Sequence, residues 1–293
     1  MDLAEFERVA DAFAAFHRRF APLFGRMEAQ RRGGQYLRGL LVQRAERRNA
    51  ENLAEAVDGA APRALQRFLT EAPWSTEPVL GRLQAEVGER LEEPDAVFVL
   101  DETGFPKQGK KSVGVARQYS GTLGKVGNCQ VGVFLAYAAP AGRTFLDREL
   151  YLPKAWTEDR DRCAEAGVPD QVEFATKPVL AMRMLTRALD AGVPAGWVTG
   201  DEVYGQHYRL RAMLEERETP YVLAVPVNQR VIATVDRRVL ELRADHLAAG
   251  LPPQAFKRIS AGAGAKGPRL YHWARAPIRP LEDTGSGYWS GAA

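Results

Sequence analysis

Two short apolar runs, each closing on an aspartate, set the strongest limit on what this chain folds into. Ala96-Val-Phe-Val-Leu100 runs into Asp101-Glu-Thr-Gly104, and Trp197-Val-Thr-Gly200 runs into Asp201-Glu-Val-Tyr-Gly205. Such a run, stopped by an acid and a glycine, reads as a buried strand that delivers a charged group to the carboxyl edge of an α/β sheet. If the two strands are neighbours, Asp101 and Asp201 converge on a site for a divalent metal, whose hard charge favours carboxylate oxygens. The competing role for a strand-end aspartate is a helix N-cap or a turn. That alternative is stronger for Asp201, where a helix starts within a few residues. It is weaker for Asp101, because Thr103-Gly-Phe-Pro106 does not continue as a helix. Glu102 and Glu202 read either as supporting groups or as exposed.

Ahead of these strands the pattern is helical. Leu3, Phe6, Val9, Ala10, Phe13, Phe16 and Phe20 recur at three- and four-residue spacing and form one apolar stripe. A second helix with Tyr36, Leu37, Leu40 and Leu41 is expected after a break at Gly33-Gly34. Asn52–Val57 and Arg63–Leu69 follow as short helices joined by the turn Asp58-Gly-Ala-Ala-Pro62. Helix, glycine-containing turn and helix outline a helix-turn-helix, with Arg63, Gln66 and Arg67 as candidate DNA contacts. An ordinary pair of small helices in an all-α segment fits the same pattern.

After Glu92-Glu-Pro94 the period changes. Strands are expected at 97–100, 113–119, 130–137 and 143–151, with a turn region at Gly121–Gly127. A helix over Lys177–Leu189, a strand at 196–199, a helix from Gln206 to Glu218 and a strand at 221–225 follow. This order predicts an α/β fold, a mixed sheet flanked by helices behind an all-α N-terminal region. The predicted organisation is a helical DNA-binding region over 1–93, a core over 94–227 and a less patterned segment over 228–293. In that last segment Ser260–Pro268 reads as loop and Arg269–Ala274 as a short strand.

A charged fraction of 26% and a hydrophobic fraction of 45% exclude global disorder. Cys129 and Cys163 stand alone, and the histidines are scattered, so neither a disulfide framework nor a zinc site is indicated. No apolar stretch approaches the roughly 20 residues of a membrane span. The acidic start, with Asp2, Glu5 and Glu7, lacks the charge pattern of a signal peptide. A cytoplasmic protein without membrane partners is expected.

Net charge is only +3, but its distribution is uneven. Between residues 18 and 48, Arg18, Arg19, Arg26, Arg31, Arg32, Arg38, Arg44, Arg47 and Arg48 face only Glu28 and Glu46. Guanidinium forks suit phosphate; a solvated helix face is the alternative. Lys107, Lys110, Lys111 and Arg117 form a second cationic group. Gly104–Lys110 fits GxxxxGK, yet Lys111 stands where a phosphate loop needs Ser or Thr, and a strand rather than a helix follows. These cations are better placed along a nucleic-acid backbone approaching the acids.

Taken together, the motifs resemble those of DDE-superfamily insertion-sequence transposases. The resemblance lies in Asp101–Gly109, Ser112–Gly121, Gly124–Phe134, Phe174-Ala-Thr-Lys-Pro178, Gly200–Gly205 and Lys266–Tyr271, with Tyr36–Leu41 and Glu46–Asn49 ahead of them. It implies an RNase H-like fold, with the first acid on the first strand and the second after the fourth, here Asp101 and Asp201. It also implies Mg²⁺ (or Mn²⁺) as cofactor, and DNA, the ends of a mobile element, as partner. Cutting of those ends and joining to target DNA is the implied activity. Lys177, within the matching Phe174–Pro178 segment, joins Arg31, Arg32, Arg38, Arg63, Arg67, Lys107, Lys110, Lys111 and Arg117 as a candidate DNA contact.

The family carries a third acid, a glutamate on a helix after an inserted segment. The last acids here, Glu282 and Asp283, lie between Pro280 and Gly285 without a helical pattern. The expectation is therefore a chain truncated before that glutamate and impaired in strand cleavage, with apolar surface exposed on one sheet face. A homo-oligomer or association with a full-length relative is expected to follow. The alternative is a non-catalytic DNA-binding repressor or a remnant of such a transposase.

Overall fold

The computed structural model describes residues 2–44, 47–91, 93–235, 237–264, 267–278 and 287–292. The chain divides into two units, Met1–Leu91 and Glu92–Ala293.

The first unit is all helical: α1 (Leu3–Phe20), α2 (Met27–Val42), α3 (Ala50–Glu55), α4 (Pro62–Thr70) and α5 (Thr76–Arg90). Side-chain caps start several of them. Asp2 accepts from the Glu5 N–H and Asn49 from the Asn52 N–H, satisfying amides that the first helical turn leaves without partners. Phe20, Phe24 and Phe68 form one core with Trp74, whose indole N–H donates to the Phe68 carbonyl at 2.8 Å. Leu53 and Leu65, both fully buried, form a second core between α3 and α4. The expected break at Gly33-Gly34 is absent, and α2 runs straight through it. The glycines serve packing instead. A Cβ on Gly33 would lie 2.8 Å from the Phe24 ring and one on Gly34 3.0 Å from His17.

Glu86 on α5 is buried and meets three guanidinium groups, those of Arg19, Arg82 and Arg90. Burial pushes its carboxyl up, but hydrogen bonds from Arg82 and Arg19 outweigh that and hold it below the ordinary range. The ion cluster thereby ties α1 to α5.

The second unit opens with β1 (Val97–Pro106), β2 (Ala116–Ser120), β3 (Lys125–Ala139) and β4 (Gly142–Tyr151). Then come α6 (Lys154–Thr157), α7 (Arg160–Glu165), α8 (Lys177–Asp190), β5 (Trp197–Gly200), α9 (Glu202–Gly205), α10 (Tyr208–Glu216) and β6 (Tyr221–Leu223). These strands make one mixed sheet in the order β2-β3-β1-β5-β6, with β4 also paired to β3. β1 is antiparallel to β3 and parallel to β5, and β5 is parallel to β6. Antiparallel strands followed by a parallel helix crossover give the mixed α/β architecture that the residue pattern predicts.

Alternation along the strands gives the sheet two unlike faces. Phe98, Leu100, Val131, Val133, Leu135, Tyr137 and Val198 are buried on one face, which packs against α8, whose Leu180, Ala181, Met184, Leu185 and Ala188 are buried. The other face carries Val97, Val99, Asp101, Thr103 and Phe105 of β1. Its Phe105, Phe145, Leu150, Trp197 and Val222 are exposed.

The remainder forms β7 (Arg230–Val235), β8 (Arg238–Arg243), α11 (Ala244–Ala249), β9 (Lys257–Gly264), β10 (Gly267–Ile278) and β11 (Gly287–Ala292). β7 and β8 pair as a hairpin, and β9, β10 and β11 form a separate antiparallel sheet. Val231, Ala233, Leu247 and Ala276 make their common core. The expected loop from Ser260 is strand through Gly264, because it pairs with β10 from Leu270↔Ser260 to Gly267↔Gly264. Glu282 and Asp283 lie outside the described residues, as do Glu46 and Lys266 of the matching motifs.

Candidate metal centre and nucleic-acid interface

β1 does not stop at its acid. It continues to Pro106 because β3 keeps supplying hydrogen-bond partners, with Asp101 opposite Phe134 and Pro106 opposite Cys129. Only the parallel partner ends: β5 pairs from Val97↔Trp197 to Leu100↔Gly200. The next residue on each strand is an acid, so Asp101 and Asp201 stand side by side one step beyond the last paired row. Alternation from the exposed Trp197 and half-buried Thr199 puts Asp201 on the same open face as Asp101.

Asp201 is also the N-cap of α9, with Oδ1 accepting from the Val203 N–H at 2.9 Å. Both roles foreseen for a strand-end aspartate are therefore compatible here, since one oxygen suffices for the cap. Asp101 Oδ1 accepts from the Glu102 N–H at 2.7 Å. Burial pushes the Asp201 carboxyl above the ordinary aspartate range. The Val203 N–H opposes that shift, while the charges of Glu102 and Asp101 add to it.

Among the described residues neither Asp101 nor Asp201 has an ion-pair partner, and a cation would relieve their mutual repulsion. Hard oxygen donors, exposed and uncompensated, fit Mg²⁺ or Mn²⁺. Also among the described residues, no group of three or more His, Cys, Asp or Glu is placed to hold a metal.

Glu102 points the opposite way. Its carboxylate takes the Lys177 ammonium on Oε1, and on Oε2 the Tyr204 hydroxyl, which donates at 2.7 Å. Burial and Glu102 push the Tyr204 phenol far above its ordinary value, so it is a permanent donor. Composition gave no hint of this cluster. Local spacing gave none either, because the cluster joins three separate segments of the chain.

The candidate DNA contacts fall into two sets. Arg63, Gln66 and Arg67 are exposed on α4, while Leu65 and Phe68 of the same helix are buried. Arg67 also pairs with Glu71 at 2.7 Å, an exposed and therefore weak interaction. Arg31 and Arg38 are exposed on α2, whereas the Arg32 guanidinium is mostly buried, held by Glu28 at 3.1 Å and Gln35 at 2.9 Å.

In the second unit Lys107, Lys110 and Arg117 are exposed. Lys111 pairs with Glu165 at 2.6 Å, and the Lys177 ammonium is taken by Glu102. The Asn128 side chain donates to the Lys107 and Gly109 carbonyls and so fixes the loop after β1. Gly104 is inside β1 and no helix follows Lys110, so the GxxxxGK match is no phosphate loop. Cys129 and Cys163 are free and buried, and among the described residues no helix is long and apolar enough to cross a membrane.

The sequence profile of the DDE superfamily endonucleases matches residues 19–273. The chain belongs to that family. Its sheet, with β1 between antiparallel β3 and parallel β5, accords with the RNase H-like fold of DDE enzymes. A curated relative, the probable transposase for insertion sequence element IS701 of Microchaete diplosiphon, is 28% identical over 199 residues. That alignment takes in 67% of this chain and 49% of the relative, so the chain spans about half the length of the curated relative it matches. DDE superfamily endonucleases generally use a divalent metal.

Proposed function

We propose that this chain acts in DNA transposition, with Asp101 and Asp201 as metal ligands and the helical unit as a DNA-binding element. The carrying observation is the register: two acids from widely separated motifs follow the last paired row of adjacent strands, on one open face of the sheet. A bound Mg²⁺ or Mn²⁺ would supply Lewis-acid activation of the attacking oxygen and charge stabilisation of the leaving one. The chain's own residues bind and orient it. Asp101 is fixed by its strand and Asp201 by its cap to Val203, and the exposed Lys107, Lys110 and Arg117 draw a phosphate backbone toward the acids. Exposed Arg63, Gln66 and Arg67 would meet the element's ends. Such work on DNA belongs in the cytoplasm.

Among the described residues two acids converge, and two hold a metal less firmly than three, so weak cleavage by that pair alone is the expected outcome. The uncovered apolar face around the acids suits association with another chain, a further copy or a full-length relative. Exposure of the α4 cations also favours a second reading, a DNA-binding repressor without cleavage. The test is nicking of supercoiled plasmid with Mg²⁺ or Mn²⁺. Slow nicking that disappears in Asp101→Ala supports the metal role; robust nicking overturns the impairment, and nicking untouched by Asp101→Ala overturns the site. DNA binding unchanged by Asp101→Ala/Asp201→Ala, with no nicking at all, selects the repressor.

A further inference from the structure

Directly behind Asp101, on the covered side of the sheet, lies a polar cluster in which Lys177 and Tyr204 both engage Glu102. We propose that Glu102, held by Lys177 and Tyr204, is a positioning residue that sets the spacing between the Asp101 and Asp201 carboxylates. The inference rests on the metal-binding role given above.

Successive strand residues face opposite sides, so Glu102 continues the row of Phe98 and Leu100, which are 0% and 2% exposed. The Glu102 side chain itself keeps 19% exposure, and a carboxylate drawn that far from water is held in place by partners. It has two, and they come from two different helices. Lys177 is the first residue of α8, and Tyr204, fully buried, belongs to α9, which begins at the Asp201 cap. One side chain thus joins the strand bearing Asp101, the helix bearing Asp201 and the helix packed behind the sheet.

α9 and the strand before it pack closely against their neighbours. A Cβ on Gly205 would overlap the Ala224 carbonyl, and one on Gly200 would lie 3.3 Å from both the Leu100 Cβ and the Tyr204 ring. The Tyr204–Glu102 hydrogen bond adds a direct tie from that helix to β1. Groups that orient metal ligands from behind are worth about 10-fold or more in metal affinity.

The test compares Mn²⁺ binding by calorimetry and urea unfolding for the full chain, Tyr204→Phe, Glu102→Gln and a control. The control is Tyr221→Phe, which removes a comparable hydrogen bond, Tyr221 to Glu215 at 2.6 Å, that does not reach β1. Tyr204→Phe and Glu102→Gln should weaken Mn²⁺ binding about 10-fold, and their combination should be no weaker than the weaker single variant. Tyr221→Phe should lose comparable stability yet bind Mn²⁺ as the parent does. Unchanged Mn²⁺ affinity in Tyr204→Phe overturns the inference, as does an equal loss in Tyr221→Phe, which would show general loosening. Tyr204→Phe alone decides if Glu102→Gln does not fold. Asp101→Asn separates the two levels: if it binds Mn²⁺ as the parent does, the metal role fails and the positioning role with it.

Discussion

Asp201 carries two duties at once, and substitutions can take them apart. As N-cap it needs a side-chain oxygen for the Val203 N–H; as a metal ligand it needs charge. Asparagine keeps the first and removes the second, and caps about as well as aspartate. Alanine removes both and costs about 1 kcal/mol for the cap. Because burial and the neighbouring acids raise the Asp201 pKa, its ionised form is disfavoured in the fold. Stability from the protonated form is present below the unfolded pKa and lost as pH rises through the folded one. Asp201→Asn should therefore be at least as stable as the parent at neutral pH, with the difference closing in acid, while Mn²⁺ binding disappears. Urea midpoints across pH and calorimetry check both halves. Retained Mn²⁺ binding would reduce Asp201 to a cap.

At the scale of elements, glycine is where the sequence misleads. Gly33-Gly34 looks like a break and is a close approach, whereas at Gly81 in α5 an added methyl would meet nothing within 4 Å. Helix propensity alone favours alanine over glycine by about 1 kcal/mol at either site. At Gly33 the methyl would press on the Phe24 ring, locked by Phe68 and Trp74 at centroid distances of 5.2 and 5.3 Å. Overpacking of that kind costs about 1–3 kcal/mol. Thermal melts should show Gly81→Ala stabilised and Gly33→Ala destabilised; equal shifts would mean that propensity governs both. Most helices were legible because each buries one stripe, although α1 buries its stripe only toward Phe20 and leaves Phe6 and Val9 exposed; β1, β3, β4 and β5 were legible because each buries a face. β9 was not: all but its last residue are exposed, and a ribbon wetted on both sides leaves no alternation to read. The length of β1 past Asp101 was equally hidden, since it depends on β3 alone.

For the whole molecule, local pattern identified the two acids but not their register, which burial of the sheet face sets across widely separated segments. Nor could it separate free cations from engaged ones. Arg31, Arg32 and Arg38 look alike in sequence, yet the Arg32 guanidinium is turned inward to Glu28 and Gln35, whereas Arg31 stays exposed and reaches Glu28 only at 4.0 Å. Lys107 and Lys177 likewise differ only through Glu102. This division predicts how affinity for DNA is distributed. Each cation that neutralises a phosphate adds about −0.9 to the slope of log affinity against log salt. Arg63→Ala/Arg67→Ala should therefore weaken duplex binding and flatten that slope by about 2. The Arg67–Glu71 pair is too exposed to withhold Arg67 from a phosphate. Arg32→Ala should lower helical stability and leave the slope unchanged. Mobility-shift titrations from low to moderate salt measure both. An unchanged slope in the double α4 variant would remove α4 from the interface and leave Arg31 and Arg38 of α2 to carry it.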